Sequence, residues 1–177
     1  AICDMFEPGS VFKVVAASAA LEEKKASEQD KFFCENGAYR VGNHILHDHT
    51  PHGWLTFTEV VEQSSNIGTT KIAQLIGPDM LYKYVRKFGF GTKTGIDMRG
   101  EINGSIKEPR FWSKTSIGAI PIGHEVGVTA LQLACAYSVI ANGGKLMKPY
   151  IVKSIKDKFG QVIKSFSPVV TAQVISA

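Results

Sequence analysis

At 177 residues, with 44% hydrophobic and 20% charged residues, the chain can bury one sizeable core and lies far from the composition of a disordered segment. Lys and Arg number 20 against 16 Asp and Glu, a net charge of +4 spread without a block of like charge, so nothing in the composition supports nucleic-acid binding. No apolar stretch approaches the roughly 20 residues of a bilayer span, because the most apolar run, Val14 to Leu21, is interrupted by Ser18.

The opening AICDMFEPGS lacks the initiating Met, basic start and apolar centre of a signal peptide, and reads as a start inside a longer protein. Behind the turn Glu7-Pro8-Gly9, a helix is expected from Ser10 to Lys25; it is apolar almost all round and belongs in a core. Residues 26–56 are polar and turn-rich, with Asn36-Gly37 and Pro51-His52-Gly53, and read as surface: short irregular segments or a hairpin. Thr56 with Glu59 fits a capping box, so a helix should start there and run toward Gln63. Further helices are expected over 67–76, stopped at Gly77-Pro78, and over 79–88, stopped by Gly89. Residues 89–127 are rich in Gly and Pro breakers and read as a long loop region with one short element at most; loops of this length usually carry function. Thr129 with Gln132 repeats the capping pattern before an apolar helix ending at Asn142-Gly143-Gly144, and 150–155 with 161–166 read as a β-hairpin around Asp157-Lys158-Phe159-Gly160.

Two short patterns carry chemistry. Ser10 and Lys13 form S-x-x-K, one turn apart on one helix face. A serine hydroxyl becomes a competent nucleophile when a neighbouring base takes its proton, and a lysine made neutral by burial, with a helix N-terminus pushing the same way, can be that base. Ser64-Ser65-Asn66 forms S-x-N, where a hydroxyl could relay a proton and an amide could hold a peptide backbone. A chain of this length holds about one S-x-x-K by chance, so taken singly each pattern reads first as helix capping by Ser or Asn, with a solvated lysine.

Other candidates are weaker. Three cysteines, Cys3, Cys34 and Cys135, make no C-x-x-C pair and indicate neither a disulfide framework nor a cysteine zinc site. His47, His49 and His52 form H-x-H-x-x-H around Asp48, but in a turn-rich segment without a helix to fix ligand spacing, and read as solvated loop residues rather than a zinc site. His124 reads as a packing or hydrogen-bonding residue, and Phe111-Trp112 as core or cleft wall.

Together and in this order, the patterns acquire a context. E-P-G-S-V-F-K at 7–13, E-Q-S-S-N-I-G at 62–68, F-G-F-G-T-K-T-G-I-D at 88–97, I-G-H-E-V-G-V-T-A-L-Q-L-A at 122–134 and A-N-G-G at 141–144 make a series that resembles the transpeptidase domain of class B penicillin-binding proteins, of the division type. The resemblance implies an α+β penicillin-binding protein/β-lactamase-like fold, present here over 1–177 as a mainly helical partial domain, truncated at both ends and lacking the C-terminal strands of the central sheet, with an exposed sheet edge as a consequence. It implies that Ser10 is the nucleophile and Lys13 its base, that Ser64 relays a proton to the leaving group and Asn66 holds the donor peptide, with no metal or organic cofactor. Its implied partners are peptidoglycan stem peptides, β-lactam antibiotics and cell-division membrane proteins, outside the cytoplasm, with an N-terminal membrane helix preceding this chain. Lys93-Thr94-Gly95 spells the family's third motif in a glycine-rich loop context and is expected to be a decoy, the true K-T-G or K-S-G lying beyond Ala177, so that the 177 residues alone turn over little. A β-lactam-sensing receptor domain and a non-catalytic division scaffold remain alternatives.

Overall fold

The computed structural model describes residues 1–176. The expected first helix begins as a 3-10 turn, Gly9–Phe12, and continues as α1, Lys13–Glu22. Phe12, Val15, Ala16, Ala19 and Ala20 are fully or almost fully buried, so α1 is the central strut, with small alanines letting α3 (Asn66–Ile76) and α4 (Pro78–Lys87) approach it closely. The Phe12 ring meets Phe90 at 4.9 Å between centroids and anchors the start of α1 to the loop after α4.

Residues 26–56 are more ordered and less superficial than their polarity suggests. β1 (Lys31–Phe33) pairs with β4 (Trp54–Thr56), and β2 (Ala38–Val41) with β3 (His44–His47) as a hairpin, all antiparallel. Cys34, Val41, Leu46 and Leu55 are buried; strands this short gave too few alternations for a period to show. Both capping boxes form: Thr56 with Glu59 opens α2 (Phe57–Glu62), and Thr129 with Gln132 opens α6 (Ala130–Ala141). The 89–127 region contains one four-residue helix, α5 (Ser116–Ala119), between two 3-10 turns.

The expected hairpin is present as β6 (Ser154–Lys156) and β7 (Val162–Ser165), and a pair that went unforeseen joins β5 (Lys145–Lys148) to β8 (Val169–Gln173). Among the described residues all ladders are two-stranded, which leaves several open edges. The Phe111-Trp112 reading needs correcting: Trp112 packs against the core, but Phe111 is 64% exposed and lies under the Arg110 guanidinium, 4.7 Å from its centre. Arg110 supplies an amphipathic cover that makes burial unnecessary.

Gly68 sets how closely α2 and α3 can meet, since a Cβ there would lie 2.5 Å from a Val60 methyl. Gly68→Ala should therefore destabilise the protein by about 1–3 kcal/mol through overpacking, despite alanine's better helix propensity. Urea unfolding checks this, and an increase in stability would show that the two helices separate freely.

Candidate active site

The turn carrying Ser10 is held before it enters α1. Gly9 has φ +65°, its N–H donates to the Gly123 carbonyl at 3.2 Å, and a Cβ on Gly123 would sit 2.2 Å from the Gly9 carbonyl oxygen. The two backbones touch, and only glycine at 123 permits it. Glu7 closes the same junction with both carboxylate oxygens, one 2.9 Å from His124 Nδ1 and the other accepting the Glu125 N–H at 2.9 Å. The His124 bond first, then the Glu125 N–H, holds the Glu7 carboxyl below its usual range. Glu125 is itself strained at φ +57° and accepts from the Ser116 hydroxyl at 2.8 Å. On the other side the Tyr137 hydroxyl donates to the Val11 carbonyl at 2.8 Å, tying α6 to the turn. His124 thus makes the hydrogen-bonding contact its sequence context indicated.

Lys13 opens α1 and is only 6% exposed. Its Nζ donates to the Ser64 carbonyl and, at 3.0 Å, to the Ser64 hydroxyl. Burial pushes its pKa down to about 8, and the Asp48 carboxylate opposes that fall. Ser10 is exposed at the lip and makes no cap to the helix, so the capping reading does not hold. Ser10, Lys13 and Ser64 line one cleft of about 470 Å³, walled by Val14, Tyr137 and Ile140. A buried amine with a lowered pKa, hydrogen-bonded to the Ser64 hydroxyl and sharing a cleft with Ser10, can take a proton from one hydroxyl and pass it through the other.

Ser64 occupies the left-handed region at φ +53°, a conformation that costs a non-glycine residue about 1–2 kcal/mol. It breaks the chain between α2 and α3 and turns Ser64 toward Lys13. Behind it, Ser65 is the N-cap of α3, accepting the Gly68 N–H at 2.9 Å and donating to Asp48 at 2.7 Å. The other Asp48 oxygen accepts the Ile67 N–H at 3.0 Å. Asp48 therefore pins the S-x-N turn and is the charge opposing burial at Lys13. Asn66 sits apart from the serine–lysine cleft: its Nδ2 donates to the His47 carbonyl at 2.8 Å, and it faces a neighbouring cavity of about 460 Å³ that Glu7 and His124 also line.

Sequence reasoning missed Glu7, Asp48, Gly123 and Tyr137 as supports. Glu7 was the accessible one, being three residues before Ser10, whereas Asp48 and Tyr137 meet the site only through tertiary folding. Lys93-Thr94-Gly95 lies in a loop, where Glu101 accepts the Thr94 N–H at 2.6 Å and the Gly95 N–H at 3.0 Å. Of the three histidines read as loop residues, His47 ends β3 instead, and it and His49 are exposed; among the described residues no group of three His, Cys, Asp or Glu is placed to hold a metal ion.

With this geometry in hand, comparison with known proteins gives a consistent result. The family model described as penicillin binding protein transpeptidase domain matches residues 1–177. Penicillin-binding protein PbpB of Mycobacterium tuberculosis is 38% identical over 156 residues, covering 87% of this chain and 23% of the relative. A protein of Pseudomonas aeruginosa named probable peptidoglycan D,D-transpeptidase PbpC is 33% identical, over 98% of this chain and 34% of its own length. The chain thus spans about a quarter to a third of these curated relatives. The crystal structure of penicillin binding protein 3 from Mycobacterium tuberculosis superposes with a TM-score of 0.90 at 35% identity, covering 99% of this chain and 39% of that one. The same protein has been solved with ampicillin and with aztreonam.

Removing the Asp48 charge should let burial act on Lys13 unopposed. In Asp48→Asn the ionisation midpoint of Lys13, followed by NMR titration of its side-chain carbon next to Nζ, is expected to fall below about 8. A midpoint that stays in place, or rises, would show that Asp48 is a structural cap alone.

Proposed function

The chain belongs to the penicillin-binding protein transpeptidase family, and from that premise we propose that it carries the nucleophile half of a serine D,D-transpeptidase site. The substrate is a peptidoglycan stem peptide ending in D-Ala-D-Ala, and β-lactams acylate the same serine. The observation that carries the reading is the buried Lys13 amine, hydrogen-bonded to Ser64 and sharing one cleft with Ser10.

In the acylation step Ser10 Oγ forms a bond to the penultimate D-alanine carbonyl carbon while its proton passes to neutral Lys13 Nζ. The C–N bond then breaks, and the departing D-alanine amine receives a proton through Ser64. An amine of a neighbouring stem attacks the Ser10 ester, its proton leaves along the same Ser64–Lys13 route, and Ser10 Oγ regains a hydrogen as the new amide forms. Asn66, at the edge of the adjoining cavity, is positioned to hold the donor peptide by its amide. The Ser10 N–H supplies one oxyanion donor. The second we assign to a K-T-G or K-S-G strand outside the 177 residues, because the N–H groups of Thr94 and Gly95 are already committed to Glu101. We propose further that the domain works outside the cytoplasm, where stem peptides are joined, in division-type wall synthesis.

Ser10→Ala in the longer protein should abolish the covalent penicillin adduct seen by mass spectrometry, and Lys13→Met should slow its formation at least about 10³-fold. A Ser10→Ala variant that still forms the adduct would move the nucleophile elsewhere.

The wild-type acylation rate should rise with pH through about 8, since Lys13 must be neutral to accept the proton and its folded pKa is lowered to about that value. A rate flat between pH 6 and 9, measured with a chromogenic cephalosporin, would remove Lys13 as base.

Made alone, the 177 residues should acylate about 10² to 10³-fold more slowly than the longer protein, the usual effect of losing one oxyanion donor. Stopped-flow penicillin acylation of both checks this, and equal rates would mean that the second donor lies within this chain.

A further inference from the structure

Among the described residues, the β6–β7 hairpin has no covered face. Every residue from 158 to 170 is exposed, including Phe159 at 78%, Ile163 at 68% and Val162 at 55%. A two-stranded hairpin without a packed side is only marginally stable in water, and a cluster of exposed large apolar groups marks an interaction surface. Both strands also have an open edge among the described residues, a row of backbone donors and acceptors suited to pairing with another strand.

Charge narrows the partner. Between 153 and 166 stand four lysines, Lys153, Lys156, Lys158 and Lys164, against the single Asp157. Asp157 is occupied within the turn, accepting the Phe159 and Gln161 N–H groups. The lysines are exposed and make no ion pair among the described residues; Lys158 and Lys164 lie over the rings of Phe159 and Phe166 at 5.0 and 4.9 Å. Across the ladder, Ser154 faces Ser165, Ile155 faces Lys164 and Lys156 faces Val162, so two of the three cross-strand positions pair an aliphatic with a cationic group. The complementary surface is an extended segment in which carboxylates alternate with aliphatic residues. A second copy would bring the same excess of positive charge to the contact, and a lipid surface would leave the strand edge without hydrogen-bond partners.

We propose that the β6–β7 hairpin docks an acidic, extended peptide segment of another protein by strand addition. The proposal is independent of the Ser10 chemistry, because the hairpin contributes no residue to that cleft.

The test uses the longer natural protein and a fluorescein-labelled peptide of about eight residues in which glutamate alternates with valine and threonine. Anisotropy should report binding that weakens as salt is raised and by at least about tenfold in the double variant Lys156→Glu/Lys164→Glu, two charge reversals on the contact surface. Penicillin acylation of Ser10 in that variant should stay unchanged, which certifies its fold. Hydrogen exchange should slow at 154–156 or 162–165 when the peptide is added. The proposal is overturned if charge reversal leaves peptide affinity unchanged, or if protection appears elsewhere. It is equally overturned if the hairpin amides are already protected in the free protein, which would mean that its own chain or a second copy covers them. Lysine-dependent binding to phosphatidylglycerol vesicles with no peptide binding would assign the surface to lipid instead.

Discussion

The site depends on keeping an ammonium group where water barely reaches it. Lys13 opens a helix in which Val15, Ala16, Ala17, Ala19 and Ala20 are buried, so the group is carried into the protein by the packing of α1 rather than by any partner charge of its own. A fall from 10.5 to about 8 corresponds to roughly 3 kcal/mol of unfavourable interaction for the charged form. The sign is that of a lysine with a depressed pKa: the penalty is present in full below the folded value and fades as pH rises toward the unfolded one. The fold therefore sacrifices stability at neutral pH to keep this amine buried, and the Ser64 carbonyl and hydroxyl, with Asp48 behind, keep the loss bounded.

Everything that fixes this geometry converges on two short turns. At the first, Glu7, Gly9 and Gly123 bring the segment before Ser10 against the 123–125 loop at backbone contact distance. At the second, Ser64 accepts a left-handed conformation while Ser65 caps α3 and Asp48 ties the cap down. Both turns store local strain, at Ser64 and at Glu125, and both are over-determined by several hydrogen bonds, which is how such strain persists. A helix start fixes the position of Ser10, a helix junction fixes that of Ser64, and the buried Lys13 shares the cleft with both.

How much of this was legible in the sequence varies with how local the cause is. The two capping boxes, the stop at Gly77 and the 154–165 hairpin were readable because each is decided by residues a few positions apart. In 26–56 a hairpin was one of the two readings and β2–β3 forms one, whereas the β1–β4 pair was obscured because three-residue strands pair across the whole of 34–53 and alternate too briefly. Within the site, Ser10, Lys13 and Ser64 were found as motif members and do share a cleft. Asp48 was weighed only as a neighbour of the histidines, because its role arises from folding β3 against the start of α3. Asn66 was read with Ser64 as one S-x-N pattern, but its amide is drawn toward His47 and the adjoining cavity; the left-handed turn at Ser64 separates the two directions.

The same physics explains why identical letters need not mean identical chemistry. Lys93-Thr94-Gly95 has the composition of a substrate-binding strand, yet a strand edge that meets a developing oxyanion must offer free N–H groups in a row. Here the N–H groups of Thr94 and Gly95 both point at the Glu101 carboxylate, which is only 8% exposed. A buried carboxylate deprived of those donors would be left poorly solvated, so releasing them to a substrate would carry a penalty that a free edge does not. The segment is thereby fixed as scaffold: its donors satisfy a buried acid, and Gln132, bonded to the Thr92 and Asn103 carbonyls, locks the loop from α6. What decides whether a short motif can offer its donors is the prior commitment of its backbone; the Ser64 carbonyl and hydroxyl are committed to Lys13, and Ser10 and Ser64 both line the cleft.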